Sequence, residues 1–100
     1  MGAVRSPGAL HPSREALEAW FRDQGLRPRW WGNAPGDTYG RHAHDYHKVL
    51  VCAEGSITFH TPDGDVELSP GDRLDLDPGT EHGATVGPGG VTCVEAPVEP

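Results

Sequence analysis

Basic residues are scarce in this chain. Eight Lys and Arg stand against fifteen Asp and Glu, a net charge of −7 over 100 residues. Nucleic-acid backbones are gripped by clustered Lys and Arg, so this balance argues against DNA or RNA as a partner. Long apolar runs are missing too. The longest, Val49 to Ala53, falls far short of the roughly 20 residues that span a bilayer, so no membrane partner is expected. No signal-peptide pattern opens the chain, and the expected location is cytoplasmic. Cysteine is limited to Cys52 and Cys93, which form no C-x-x-C pair. Reduced thiols on strands are the expectation, with a bridge between the two left open. No internal repeat or low-complexity tract appears. A chain of this length makes one domain and buries about two-thirds of its unfolded surface.

What the chain does contain reads as one helix followed by many short strands. Residues 1–11 are rich in Gly, Pro and Ser and form an expected flexible N-terminus. Residues 12–35 are expected to hold a helix and a linker. Ser13 is placed to cap the helix, with Glu15 in its first turn. Leu17, Trp20, Phe21 and Gln24 recur at helical spacing, and Gly25 is a natural stop. Such an aromatic stripe is expected to cover an outer face of the remaining fold. Trp30 and Trp31 precede a Gly/Pro loop from Gly32 to Asp37.

From Tyr39 onward the pattern turns to strands. Lys48 to Ala53 is a continuous apolar run of the kind a strand covered on both faces shows. Glu54-Gly55 reads as a turn, and Ser56 to His60 alternates like a half-buried strand. Asp63-Gly64 marks a tight hairpin. Leu74 and Leu76 alternate with Arg73, Asp75 and Asp77. Ala84 to Val86 and Val91 to Ala96 give two last strands, separated by Gly87-Pro88-Gly89-Gly90. Short strands with Gly/Pro turns every eight to twelve residues predict an all-β sandwich or barrel over residues 36–100.

Three histidines carry the chemistry. The first segment runs Gly36, five residues, His42-Ala43-His44, three residues, Lys48, six residues, Gly55. The second runs from Gly71 through Asp77-Pro78-Gly79 to His82. Imidazole is the commonest protein ligand for divalent transition metals. Residues two apart on a strand share a face, so His42 and His44 aim at one point, and His82 after the Pro-Gly turn completes a set of three.

This pattern resembles the cupin superfamily, with motifs G-x5-H-x-H-x3/4-E-x6-G and G-x5-P-x-G-x2-H-x3-N. Gly36, His42, His44 and Gly55 match the first, and Gly71, Gly79 and His82 match the second. The resemblance covers roughly residues 36 to 96. It implies a double-stranded β-helix (cupin, or jelly-roll) barrel with a short N-terminal α-helix, and one divalent metal on His42, His44 and His82: iron, zinc, nickel or manganese. The departures bear on function. Lys48 stands where the family places its carboxylate ligand, and an ammonium has no lone pair to give. Asp77 replaces the first proline, and Val86 the terminal asparagine.

Lys48 and Tyr46 are the catalytic candidates. Lys48 either needs an acidic partner or titrates low inside the barrel, or else it snorkels to the mouth towards Asp45 or Glu81. Tyr46 shares the inward parity as a hydrogen-bond donor near a metal or as a mouth-lining aromatic. His47 has the opposite parity, and only a bulge would bring it inward as a replacement ligand. His60 is expected at the rim and His11 in the loose terminus. Three classes stay open: a metal-dependent enzyme of dioxygenase, isomerase or lyase type on a small anionic substrate, a small-molecule binding or sensing module, and a metal-free barrel serving interaction. An outward apolar face at Val49 and Val51, near Trp30 and Trp31, suggests a homodimer.

Overall fold

Two long strands carry the molecule. The computed structural model describes residues 2–98; Met1, Glu99 and Pro100 lie outside them. The elements are β1 (Ala3–Ser6), α1 (Arg14–Asp23), β2 (Arg29–Asn33), β3 (Thr38–His42), β4 (His47–Thr61), β5 (Gly64–Leu68), β6 (Arg73–Leu76) and β7 (His82–Val98). All pairings are antiparallel, in the order β1-β6-β4-β7-β2, with β3 added on β7 and β5 on β4. The result is the double-stranded β-helix of the cupin fold. The helix α1 lies outside the barrel.

β4 and β7 pair along nearly their whole length and change sheet halfway. The first half of β4 pairs with β6 and with the end of β7, and the second half with β5 and the start of β7. The corner falls where the register shifts, between Cys52 and Glu54 and between Gly55 and Ile57. Glu54-Gly55 and Gly87 to Gly90, expected as turns, are therefore bends inside continuous strands. The glycine signal was real, but it marks a bulged corner rather than a strand end. Gly55 has φ +74°, and a Cβ there would come within 1.9 Å of the Gly90 carbonyl oxygen. Only hydrogen fits that crossing.

Alternation along these strands makes two cores. Leu50, Cys52, Ile57, Phe59, Leu74 and Cys93 pack inside the barrel. Val49, Val51, Val94 and Ala96 point outward, where Leu17 and Phe21 of α1 close over them with no exposed surface. The helix does cover an outer face, as its stripe predicts. Ser13 caps it by accepting a hydrogen bond from the Ala16 amide, and Gly25 follows at φ +75°. The Val49/Val51 face that suggested a homodimer is thus covered within the chain. The large exposed apolar residues among those described are Val4 and Tyr39 instead.

The N-terminal boundaries also shift. Residues 3–6, within the expected flexible terminus, pair with β6 from Ala3 opposite Leu76 to Ser6 opposite Arg73. Asp72 fastens this segment: its carboxylate accepts from the Gly8 and Ser69 amides and from the Arg5 guanidinium. β2 lies inside the expected linker, so the sheet begins before Gly36. Its residues alternate as a strand must, Trp30 packing with the helix side and Trp31 with the barrel interior. No helix among the described residues is long and apolar enough to cross a membrane.

Candidate metal centre

The three histidines meet at one end of the barrel. His42 ends β3 and His82 begins β7, and the two are direct cross-strand partners. His44 lies just beyond β3, in the connection to β4. The Pro78-Gly79 turn is tied to it, since the Gly79 amide donates to the His44 carbonyl at 2.7 Å. That bond joins the two sequence motifs through the backbone and fixes where His82 emerges. The ring centroids lie 5.0 Å (His42–His44), 4.4 Å (His42–His82) and 5.4 Å (His44–His82) apart. One ring nitrogen from each falls within 4.8 Å of the others.

The proton positions follow from the partners. His42 Nδ1 lies 2.9 Å from the Gly40 carbonyl and His82 Nδ1 3.0 Å from the Thr80 carbonyl. A carbonyl can only accept, so each Nδ1 carries a hydrogen, and Nε2 is the ring nitrogen left to offer a lone pair. His44 Nε2 is buried and is without a hydrogen-bond partner among the described residues. Burial is the largest influence on both His44 and His82 and lowers their pKa values. For His44 the Lys48 charge adds to this; for His82 the Thr80 carbonyl opposes it. Two rings with Nδ1 committed to carbonyls and one orphaned buried nitrogen are what a divalent cation needs. The donor set fits such an ion.

The other candidates separate. Lys48 is buried, 8% exposed, and faces the cavity below the histidines. Its partner is neither Asp45 nor Glu81. Lys48 Nζ donates to both Glu95 carboxylate oxygens at 3.4 and 3.3 Å, and Trp31 Nε1 donates to the same group at 2.8 Å. The ammonium that would repel a nearby dication is therefore balanced by a carboxylate. Tyr46 stacks on His44, with ring centroids 5.0 Å apart, and braces that ligand without lining the cavity. His47 points the other way, as parity requires, with Nε2 2.9 Å from Asp75 Oδ1. His60 lies between Asp65 and Thr85, outside the cavity.

A cavity of about 290 Å³ opens beside the cluster. Leu50, Phe59 and Ala84 form its apolar wall, and Trp31 and Tyr39 pack edge to face along it. Sequence reasoning missed Glu95, Arg29 and Trp31 as lining residues. Strand alternation held the signal, because Arg29 and Trp31 share a parity, as do Cys93 and Glu95. Only the pairing of β2, β7 and β4, which places Glu95 opposite both Leu50 and Arg29, brings them to Lys48.

The comparisons agree with this architecture. A family model described as AraC-like ligand binding domain matches residues 32–94. No curated protein matches the chain. Among solved structures, a DUF861 family protein from Thermotoga maritima is similar at 15% identity and TM-score 0.68, over 96% of this chain and 99% of that one. An RmlC-like cupin from Shewanella frigidimarina is similar at 24% identity and TM-score 0.64, over 72% of this chain and 64% of its own. At those identities the likeness speaks for the fold alone. The structure of the DMSP lyases RdDddP and RnDddQII shares 25% identity at TM-score 0.65, over 76% of this chain but only 40% of the lyase chain.

Proposed function

We propose, for a chain that belongs to the AraC-like ligand binding domain family, that it binds one divalent transition-metal ion through His42, His44 and His82 and presents that ion to a small anionic molecule in the adjoining cavity. The observation that carries this reading is the His44 Nε2 atom, buried and unpartnered beside two histidines whose Nδ1 hydrogens are committed to backbone carbonyls. A buried ring nitrogen left without a partner costs on the order of 1–3 kcal/mol, which ligation would recover.

Three protein ligands leave positions on the ion free for substrate. A bound ion would supply Lewis acidity toward a carboxylate or carbonyl oxygen, or a site for dioxygen. The chain's own residues do the rest. Thr80 and Gly40 orient two rings, and Tyr46 stacks against the third. Glu95 holds Lys48 in the cavity wall and is itself held by Trp31. Leu50 and Phe59 keep water from the inner wall. Of the enzyme types that fit, a lyase gains support from the shared barrel of the DMSP lyases. The family's own description favours the second reading, a ligand-binding module without turnover.

Titration of Co(II) into the metal-free protein tests the reading. One ion per chain is expected in the wild type, with binding lost in His44→Ala. Equal binding by the variant would overturn the ligand assignment.

A further inference from the structure

The cavity and the surface of this molecule differ in charge. The chain as a whole carries −7. Yet the cavity is lined by two cationic side chains, Arg29 and Lys48, against one carboxylate, Glu95. Of these, Lys48 and Glu95 are committed to each other, and Trp31 also holds Glu95. Arg29 is not committed. It is the cross-strand neighbour of Glu95, shares the inward parity of Trp31, and has no hydrogen bond or ion pair among the described residues. A cation has therefore been placed at the cavity wall with its fork of donors unused. Leu50, Phe59 and Ala84 supply an apolar stretch of the same cavity, which also carries the histidine cluster.

We propose that the ligand of this cavity is a small dicarboxylate, or a molecule with two equivalent anionic ends, and that Arg29 is the residue selecting the second end. The proposal rests on the reading that an ion held by the histidine cluster takes the first. A guanidinium matches a carboxylate with two parallel hydrogen bonds, which an ammonium cannot do. Glu95 is held by Lys48 and Trp31 and makes no hydrogen bond or ion pair to Arg29 among the described residues. The cavity volume sits at the small end of ligand pockets, so the spacer between the two anionic groups is short.

The test uses full-length protein loaded with Zn(II), titrated calorimetrically with succinate and glutarate and with their chain-matched monoacids, butyrate and valerate. At least one diacid is expected to bind about ten-fold more tightly than its monoacid or better, as one added charge-assisted fork implies. In Arg29→Gln that preference should vanish while monoacid affinity and zinc stoichiometry stay unchanged. Arg29 is exposed, so this variant keeps the fold. Equal binding of diacids and monoacids by the wild type, or a preference that survives in Arg29→Gln, would overturn the proposal and leave the metal-and-anion reading standing. Failure of all four acids to bind zinc-loaded protein would overturn both.

Discussion

The two faces of β4 and β7 are built from alternate residues of the same strands and have opposite characters. On the closed face, Val49, Val51, Val94 and Ala96 meet Leu17 and Phe21 with no polar group between them. On the open face, Lys48 and Glu95 pair across a cavity that ends in three histidines. Buried polar groups show the same contrast. Asp72, at the closed end, accepts from Gly8, Ser69 and Arg5, whereas His44 Nε2 at the open end has no hydrogen-bond partner among the described residues. A fold that satisfies one end completely and leaves a buried nitrogen bare at the other has kept a place for something else. In this account stability is concentrated on one face, and the proposed binding site lies on the other.

The contrast breaks most strongly at the helix. Phe21→Ala should cost about 3–5 kcal/mol of stability in denaturant unfolding, the range for a buried aromatic. The folded fraction should bind metal as the wild type does. A loss of metal affinity without a loss of stability would mean that the two faces are coupled.

Asp72 comes next. Burial works to raise its pKa, but the Ser69 and Gly8 amides and the Arg5 guanidinium outweigh it and leave the carboxyl lower than usual. A lowered folded pKa stabilises above the unfolded value of about 4, and that contribution is lost as pH falls from there through the folded value. Asp72→Asn should therefore cost about 1–3 kcal/mol at pH 7 and flatten the acid limb of the stability curve below about pH 4. An unchanged acid limb would remove Asp72 as its source.

Lys48→Glu sharpens the open face. It restores the cupin carboxylate and sets it against Glu95, two like charges that a dication would relieve. Metal affinity should rise about ten-fold or more, some 1.4 kcal/mol, as read by competition with a chelator. Weaker binding would show that Lys48 acts as a positioned functional group. The smallest effect belongs to His47→Ala. Its half-exposed pair with Asp75 is worth at most about 1 kcal/mol, and metal affinity should not change, because His47 lies on the other side of the strand.

How much of this was legible in the sequence follows from how local each signal is. His42, His44 and His82 stand in short motifs whose spacing survives folding, and the helix announces itself through Ser13, Leu17 and Phe21. Lys48's partner was not legible, because Glu95 is 47 residues away and reaches it only through strand register. β1 was hidden by its composition: a Gly/Pro-rich terminus looks loose until Asp72 and β6 hold it. Gly55 and Gly90 read as chain breaks, yet their crossing bends strands that continue. The sequence reading set Trp30 and Trp31 together beside the outward face, although strand parity puts them on opposite sides. Which of them faced the cavity awaited the pairing of β2 with β7.

The most direct test of the central claim is elemental analysis of untagged protein as purified, beside its His44→Ala variant. Close to one divalent transition metal per chain in the wild type, and none in the variant, is the expected result. No metal in the wild type, even after reconstitution with iron, zinc, nickel or manganese, would contradict the account.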